Sequence, residues 1–450
     1  MSYAVIGSGP CGSLAALRLL QAGKEVVMFE VNSMVSIQSK ELSKILKMVD
    51  GSAATYDVHQ VVALTHKGKN TNFYRSKLVG GFSNVWGATW GAQENLKSED
   101  WGRHHQDVTN LLHRQGYLKE NGNQKCDCFQ FIERKIQNLP LELRVGKTML
   151  ALNPNFCDCL AEGSPSCIHG SVWNSTSLLN QCSSFNNFTF LSDKDVKFIE
   201  NTRGGVAVTG EGFSETFQHV ILAAGTVGTL EVLLNSQIDQ EILTVQDTLM
   251  GFMPLFRLRV RKKHSGGFAF SQYSLETKFG KNNLTVHAQL YADAEIYRDR
   301  IIGKLPTPLR AASGPFVDLI LPHLAIAIIY GDPAMSSKIS FNLMSQNRHL
   351  NVDYAEPRHS SRGLKRRLWQ AFRSLGFVPL LPLLSWSKPG ESYHLGAMDG
   401  NILDEFGAVK SIPGLHVAGA IALPSITPGP ITHSSMTQTS RLIENLVTKI

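Results

Sequence analysis

The spacing of apolar positions divides the chain into two kinds of segment. Near the N-terminus, residues 4–6 and 25–29 form short apolar runs on either side of an apolar stretch of helical length, Leu14 to Gln21. Short apolar runs bounded by turn residues predict buried strands, and the longer run between them predicts a crossover helix. The chain therefore opens with a strand–helix–strand unit.

Two further apolar runs return the chain to this opening sheet. A polar, alternating stretch over residues 188–217 predicts a small β-meander, and the run HVILAAGT (219–226) then predicts a buried strand followed by a helix over 229–234. Any parallel core strand would show the same run. Residues 414–419 predict another short strand, and the chain ends in a helix that includes Arg441 to Leu446.

The middle of the chain has a different period. Between residues 251 and 356, apolar residues alternate with polar ones in several short runs. A period of two is typical of strands with one buried face, so we expect an antiparallel sheet in a separate domain. The clearest runs are Val286, Ala288 and Leu290; Ile339, Phe341 and Leu343; and Leu350, Val352 and Tyr354.

Composition narrows the class of protein. A chain of 450 residues is too long for one simple core, and 43% hydrophobic and 18% charged residues are ordinary for a globular protein. The net charge of +7 is spread along the chain apart from one cluster, which does not indicate nucleic-acid binding. Seven cysteines, an odd number, and an N-terminus without an export signal favour a cytoplasmic location. The longest apolar run, 319–330, is well short of the ~20 residues that span a bilayer.

The turn after the first strand carries the strongest chemical signal. Residues 7–12, GSGPCG, fill the pattern G-x-G-x-x-G between a strand and a helix. Gly7 allows a sharp turn, Gly9 lets the backbone approach a pyrophosphate, and Gly12 lets the helix pack closely on the strand. Glu30, at the end of the second strand, can accept hydrogen bonds from both hydroxyls of a ribose. These residues predict a dinucleotide site with its phosphates at the helix N-terminus.

A glycine-rich segment with two tryptophans, VGGFSNVWGATW (79–90), has neither helical nor strand periodicity. Glycines let the backbone approach a bound group, and indole rings supply broad apolar surface with one polar edge. Trp86 and Trp90 are therefore candidates to lie against a flavin or a sugar. The alternative for Trp90 is a place in the core.

Together these segments resemble the glucose-methanol-choline family of FAD-dependent oxidoreductases, in particular its shorter bacterial members. The resemblance covers nearly the whole chain in order: GSGPCG with Glu30, GGFSNVWGA, HVILAAGTVGTLEVLLNS, SYHLGAM and GLHVAGAIALPSITPGPITHSSM. It implies FAD as the cofactor and His394, in SYHLGAM, as the base for the substrate's hydroxyl proton; a structural histidine is the alternative. The resemblance places residues beside the cofactor at Gly81, Ser83, Asn84, Val85, Ala224, Gly225, Gly419, Ala420 and Thr432.

Two positions depart from the family pattern. The pair Gly419-Ala420 stands where the family usually has an acidic residue near the cofactor's phosphate or ribityl chain. The family's second catalytic residue, an asparagine or a histidine, falls at Pro430 when Thr432 is matched to the family's threonine. Proline cannot transfer a proton. We therefore predict His433, the only imidazole nearby in the sequence, as the second catalytic residue.

The predicted fold is α/β, with a discontinuous, Rossmann-like FAD-binding domain (1–110, 145–245 and 390–450). An antiparallel-sheet substrate domain (246–389) and a helical insertion or cap (111–144) complete it. The predicted activity is oxidation of an alcohol group of a sugar, a cyclitol or a glycosylated or lipid-linked intermediate, with hydride transfer to FAD and a histidine base. The sequence does not identify the electron acceptor. Because of the two departures, a second hypothesis gives FAD a non-redox role, in a cyclase or an isomerase, or a structural role.

The cysteines raise the question of a metal site. Cysteine and histidine side chains could bind zinc or an iron–sulfur cluster, but the C-x-C spacing is not the usual C-x-x-C. The segment CDCLAEGSPSCIHGSVWNS also resembles a cysteine-rich segment of some bacterial relatives, so we predict no metal. The candidates are Cys126, Cys128, Cys157, Cys159, Cys167 and His169.

Residues 362–384 combine an apolar helical face with a basic one. Leu364, Leu368, Phe372 and Leu375 share the apolar face, and five basic residues surround it. One prediction is a peripheral contact with an anionic membrane. The other is a helix that covers a core and leaves its basic face in solvent. The basic residues are Arg362, Lys365, Arg366, Arg367 and Arg373.

Overall fold

A computed structural model describes residues 2–32, 59–66, 69–84, 86–91, 98–118, 130–153, 170–236, 238–257, 270–292, 302–303, 306–344, 350–355 and 362–448. In chain order its strands are β1 (Ser2–Ile6), β2 (Glu25–Phe29), β3 (His59–His66), β4 (Lys69–Ser76), β5 (Leu143–Lys147), β6 (Phe188–Leu191), β7 (Val196–Thr202), β8 (Gly205–Gly210), β9 (Phe213–Phe217), β10 (His219–Leu222), β11 (Ile242–Gln246), β12 (Met250–Phe256), β13 (Tyr273–Phe279), β14 (Leu284–Tyr291), β15 (Leu324–Gly331), β16 (Lys338–Leu343), β17 (Leu350–Tyr354), β18 (Val378–Pro379), β19 (Ser385–Trp386), β20 (Gly396–Met398) and β21 (Leu415–Val417). Its α-helices are α1 (Pro10–Gln21), α2 (Glu99–Arg114), α3 (Gln130–Ile136), α4 (Thr176–Cys182), α5 (Gly225–Asn235), α6 (Thr307–Ile320), α7 (Arg362–Ser374) and α8 (Thr432–Thr448).

A five-stranded parallel sheet, ordered β21-β10-β1-β2-β6, forms the first layer. β1 is buried on both faces, as expected for a parallel sheet that is covered on both sides. Tyr3 and Val5 pack with α1, α2 and α8, whereas Ala4 and Ile6 pack with the meander β7-β8-β9. The predicted strand–helix–strand opening, the meander and the two returning strands, β10 and β21, are confirmed.

A larger antiparallel sheet, ordered β18-β12-β15-β14-β13-β5, forms the second layer, and β19 also pairs with β12. In β14, Val286, Ala288 and Leu290 are fully buried in a core that they share with α7. Because side chains of a strand alternate between its two faces, His287 and Gln289 lie on the opposite face. That face borders the candidate site described below.

A four-stranded antiparallel sheet, ordered β17-β16-β11-β20, contains strands from both predicted domains. It includes β11 and β20 from segments predicted to bind FAD, and β16 and β17 from the predicted substrate segment. β5 pairs with β13, although the predicted boundary at residue 145 divides this strand. Sheet membership thus crosses the predicted boundaries, because strand pairing depends on contacts that apolar periodicity does not contain.

α7 covers the core face of the larger sheet. Leu364, Leu368 and Phe372 are buried, as the predicted apolar face requires, and Trp369 on another side of the helix is 40% exposed. The membrane contact of this basic helix stays a prediction. Within the described ranges, no helix is both long enough and apolar enough to cross a membrane.

Candidate cofactor cavity and active site

A cavity lies at the carboxyl ends of β1, β2, β10 and β21, where open α/β sheets bind their ligands. Its lining extends from Glu30, after β2, to Tyr393 and Leu395 in the histidine-containing segment. Most of the predicted cofactor residues line this one cavity. They are Gly7, Gly9, Glu30, Gly81, Ser83, Ala224, Gly225, Gly419, Ala420 and Thr432.

The three glycines of the first turn have different surroundings. Gly7 has a φ of +96°, and a Cβ there would lie 2.7 Å from the Ala223 carbonyl oxygen. A Cβ on Gly12 would lie 1.9 Å from the Gly7 carbonyl oxygen, so this residue permits close packing and does not line the cavity. A Cβ on Gly9, in contrast, would meet nothing within 4 Å. Gly9 therefore leaves open space at the N-terminus of α1, where the helix dipole favours a phosphate group.

Glu30 joins this turn to the glycine-rich segment. One carboxylate oxygen accepts hydrogen bonds from the Ser8 amide (2.8 Å) and the Ser8 hydroxyl, and the other accepts from the Val31 amide (2.8 Å). The Ser8 hydroxyl in turn accepts from the Gly80 amide (3.0 Å). Burial raises the pKa of Glu30 above its ordinary value, although these donors oppose that shift. The carboxylate is thus fixed at the edge of the cavity, where a ribose would lie.

The glycine-rich segment crosses the turn at close range. A Cβ on Gly81 would lie 3.2 Å from the Gly9 Cα. The Ser83 hydroxyl donates to the Gly80 carbonyl (2.6 Å) and accepts from the Ser175 amide (3.0 Å). Asn84 donates to the Val79 and Gly81 carbonyls (both 2.9 Å) and does not line the cavity, so its contacts here are with the segment itself. These contacts hold the segment against the phosphate-binding turn.

The two tryptophans of this segment have different environments. Trp86 lines the cofactor cavity, and its indole nitrogen donates to the Trp173 carbonyl (2.9 Å). Trp90 is 3% exposed and stacks on His433 with ring centroids 4.4 Å apart. The cavity thus offers Trp86 to a ligand, whereas Trp90 belongs mainly to the core.

At the opposite wall, the turn after β21 comes close to α1. Gly419 has a φ of +99°, and a Cβ there would lie 3.5 Å from the Cys11 sulfur. Burial raises the pKa of the Cys11 thiol to about 11, so this sulfur is neutral near pH 7. The described residues fit a dinucleotide such as FAD, because they combine an open helix N-terminus, a fixed ribose-binding carboxylate and glycine-lined walls.

A second cavity adjoins the first. Residues 86 and 431–432 line the cofactor cavity, while their neighbours Trp90, Gly91 and Pro430 line the second one. His287 of β14 also lines this second cavity, together with polar residues from several elements. Its position beside the part of the cofactor cavity that Trp86 and Thr432 line makes it a candidate substrate chamber. The uncharged polar residues are Thr89, Gln246, Ser274, Thr285, Ser337, Ser425 and Thr427, and the charged ones are Lys147, Glu276, Lys278, Asp332 and Lys338.

A hydrogen-bond network positions the segment that carries His394. The buried carboxylate of Asp247 accepts from the Gly390 amide (3.0 Å) and the Ser392 hydroxyl (2.6 Å), and the Ser392 hydroxyl accepts from the His394 amide (2.9 Å). Tyr393, between Ser392 and His394 in the chain, adopts a φ of +59°, which is uncommon for a residue other than glycine. Burial raises the pKa of Asp247 to about 6.

The His394 ring stacks on Tyr330, with centroids 4.8 Å apart and planes 16° apart. Its Nδ1 is buried and has no hydrogen-bond partner within the described part of the chain. Burial first, and the nearby His287 second, lower the pKa of His394 to about 4. The ring is therefore neutral near pH 7. Its neighbours Tyr393 and Leu395 line the cofactor cavity, although His394 itself lines neither this cavity nor the second one.

The structure does not bring His433 to His394. His433 lies in α8 and packs between Trp90 and α2, where its Nε2 is 3.1 Å from the His105 carbonyl oxygen and 3.2 Å from the Thr109 hydroxyl. It lines neither cavity. Its predicted catalytic role stays a prediction, and these contacts favour a structural role. The reason is helical geometry, because Thr432 faces the cofactor cavity and the next residue points about 100° away.

Sequence reasoning missed Asp247, His287 and Tyr330. His287 occupies the polar position between the buried Val286 and Ala288, so the alternation already placed it on the face away from the core. Asp247 carries no local motif. The predicted neighbour Val85 and the cysteine-rich candidates from Cys126 to His169 lie outside the described residues.

Comparisons with known proteins show the fold of this chain and nothing further. No family model and no curated protein sequence matches the chain. Among solved structures, pyridoxine 4-oxidase from Mesorbium loti superposes with a TM-score of 0.63 over 99% of this chain and 98% of that chain, at 14% sequence identity. The chain thus has the mixed α/β fold of the glucose-methanol-choline oxidoreductases, as predicted.

Proposed function

We propose that this protein is an FAD-dependent oxidoreductase that oxidises an alcohol, with His394 as the residue that accepts the hydroxyl proton. The observation that supports this most directly is a partly buried imidazole without a hydrogen-bond partner among the described residues, next to residues that line the cofactor cavity. Buried polar groups are usually hydrogen-bonded, so an unsatisfied one calls for a ligand or water. The fold shared with pyridoxine 4-oxidase supports the same reaction class.

One group of residues would bind the cofactor, and His394 would accept the proton of the alcohol. The N-terminus of α1 would bind the pyrophosphate, Glu30 the ribose, and the segment with Gly81 and Trp86 the ring system. Bound FAD supplies a hydride acceptor. Nδ1 of His394 is enclosed, so Nε2 is the nitrogen that accepts the hydroxyl proton. Its lowered pKa keeps the ring unprotonated near pH 7, which is the state that a base requires.

The substrate class follows from the second cavity. Its hydroxyl, amide and imidazole groups, together with three lysines and two carboxylates, suit a strongly polar alcohol, such as a sugar, a cyclitol or a hydroxymethyl pyridine. The name of the structural neighbour adds pyridoxine to the compounds worth testing.

For macromolecular partners, we propose that the protein does not bind nucleic acid and that the basic face of α7 contacts an anionic membrane.

The cofactor is tested with purified protein and one variant. The wild type should be yellow and release FAD rather than FMN, because the site is built for an ADP moiety. Gly9→Val should fold, since a Cβ there meets nothing within 4 Å, but it should lose FAD because the side chain fills the space of the pyrophosphate. Equal FAD retention by both proteins would reject the cofactor assignment.

The reaction is tested by anaerobic mixing with a panel of alcohols that includes pyridoxine, glucose and myo-inositol. An alcohol dehydrogenase or oxidase bleaches its flavin absorbance with at least one of them. Flavin that stays oxidised with every alcohol, while dithionite still reduces it, would favour the non-redox hypothesis. Reoxidation by oxygen or by a quinone analogue then identifies the class of electron acceptor.

Sedimentation with anionic liposomes at low and high salt tests the membrane contact, and no binding at low salt would reject it.

A further inference from the structure

Two imidazoles, rather than one, lie beside Tyr330 without hydrogen bonds. His394 stacks on the Tyr330 ring, and His287, which pairs with Tyr330 across the sheet, lies with its centroid 6.3 Å from it. In the described part of the chain, neither ring forms a hydrogen bond, and Nε2 of His287 and Nδ1 of His394 are both buried. Each leaves a polar atom unsatisfied, which costs roughly 1 to 3 kcal/mol unless a ligand or water pairs with it.

The surroundings direct His287 into the second cavity. The ring lines that cavity, and Gly429 lies close to the ring. A Cβ at position 429, where φ is +114°, would lie 3.4 Å from the His287 Cγ. The next residue, Pro430, has no side-chain donor or acceptor. His287 is therefore the imidazole that this part of the cavity offers to a ligand.

We propose that His287 is a second substrate-binding residue, whose imidazole hydrogen-bonds an oxygen of the alcohol in the second cavity. This inference rests on the proposed function. In the reaction, the carbon–hydrogen bond breaks as hydride leaves for FAD, which is reduced, and the hydroxyl proton goes to His394. The alcohol becomes a carbonyl compound. His287 gains and loses no proton overall and holds the oxygen in place, which orients the reacting carbon.

The charge environment agrees with this division. Burial lowers the pKa of His287 to about 4, so the ring is neutral near pH 7 and can donate one hydrogen bond and accept another. His394 has a lowered pKa for the same first reason, and the nearby His287 lowers it further. A neutral pair can bind an uncharged alcohol without a buried net charge.

The test compares His287→Leu and His287→Gln with a matched control, His323→Gln. His323 lies just before the adjacent strand, but its Nδ1 already bonds the Arg257 carbonyl (3.1 Å) and it lines neither cavity. All variants should retain FAD and their unfolding temperature. With an alcohol that bleaches the wild type, the Leu variant should need roughly 5- to 100-fold more alcohol for half-maximal reduction, because one hydrogen bond is lost. The Gln variant should recover part of this loss, and the control should match the wild type.

A second readout does not depend on turnover. In histidine NMR spectra of the FAD-bound protein, the panel alcohols should shift the resonance that is missing in His287→Leu. Also, His287→Leu should raise the titration midpoint of the His394 resonance, because a neighbouring imidazole is removed. Unchanged half-maximal concentration in the Leu variant, or no shift of the His287 signal by a bleaching alcohol, would overturn the inference. If no alcohol bleaches the wild type, the proposed function fails separately, and a His287 signal indifferent to the panel would then overturn this inference too.

Discussion

Two groups of histidines in this protein share a charge state and differ in their hydrogen bonds. His105 and His433 pack between α2 and α8, whereas His287 and His394 lie beside Tyr330 on the larger sheet. Burial lowers the pKa of all four rings to about 4. In the helix pair, His433 reaches a carbonyl and His105 reaches the Thr437 hydroxyl (2.9 Å), while the other nitrogen of each ring is buried without a partner among the described residues. In the sheet pair, no described residue bonds either ring.

A lowered pKa alone therefore does not identify an active-site histidine. Desolvation shifts the pKa wherever an imidazole is buried. The hydrogen bonds separate the two groups, because the protein holds each helix-pair ring through one nitrogen, whereas no described residue holds a sheet-pair ring through either nitrogen. On this criterion we expect the sheet pair to serve the proposed reaction and the helix pair to serve the fold.

The largest expected effect is on the reaction rate of a sheet-pair variant. His394→Ala should fold and bind FAD, since Glu30 and the α1 turn lie elsewhere. Its flavin reduction rate at saturating alcohol should fall by roughly 10²- to 10⁴-fold, which is typical of losing a positioned general base. Stopped-flow absorbance measures this rate.

His433→Gln is the control for that experiment, because glutamine can keep a hydrogen bond to the His105 carbonyl. It should reduce its flavin at nearly the wild-type rate. A loss as large as that of His394→Ala would instead make His433 the second catalytic residue and would invalidate the comparison. A wild-type rate in His394→Ala would remove the base assignment.

The next largest effect is on the stability of a helix-pair variant. His433→Ala removes a ring that stacks on Trp90 and the hydrogen bond from its Nε2 to the His105 carbonyl. The cavity and the lost hydrogen bond should together lower the free energy of unfolding by about 2 to 4 kcal/mol. Denaturant unfolding measures the loss. His287→Ala should cost less, because its ring nitrogens have no bond to lose; equal costs would contradict the distinction.

Acid should destabilise the folded protein through both groups. Their folded pKa values, about 4, lie below the ordinary histidine value of 6.5, so the unfolded chain binds more protons between these limits. Each such histidine contributes stability that is present above pH 6.5 and is lost as the pH falls towards 4, at about 1.4 kcal/mol per pH unit. Asp247, with its pKa raised to about 6, acts with the opposite sign and offsets part of this slope. Unfolding midpoints at pH 7, 6 and 5 measure it, and His433→Gln should flatten the dependence; an unchanged slope would show that the ring titrates normally.

Much of the fold followed from local sequence. The glycine turn, the apolar run before it and the acid at the end of β2 predicted the parallel unit, because each depends on residues within about thirty positions. Period-two runs likewise predicted β14, β16 and β17. Sheet membership could not be predicted in the same way, since β5 and β11 join their partners across more than ninety residues.

The candidate site divides along the same line. His394 could be proposed from a motif, but the residues that support it come from distant positions: Asp247 is 145 residues from Ser392, and His287 is on another strand. The sequence also favoured His433 because it is close to Pro430 in the chain. A helix begins at Thr432 and turns the His433 ring into the core, so nearness in sequence did not become nearness in the site.

The smallest expected effect concerns the exposed edge of the helix pair. Arg103 is 58% exposed and pairs with Glu444 (2.5 Å) and Asp100 (3.3 Å), both of which also lie near His104. The two acids and His104 come within 4.8 Å of one another, but Arg441 also pairs with Asp100 (2.6 Å), so arginines already balance these carboxylates. Exposed ion pairs contribute about 1 kcal/mol or less. Arg103→Met should therefore lower the free energy of unfolding by no more than that, and high salt should reduce the difference further. A larger loss that persists at high salt would show that this edge, and not only the buried rings, holds α2 against α8.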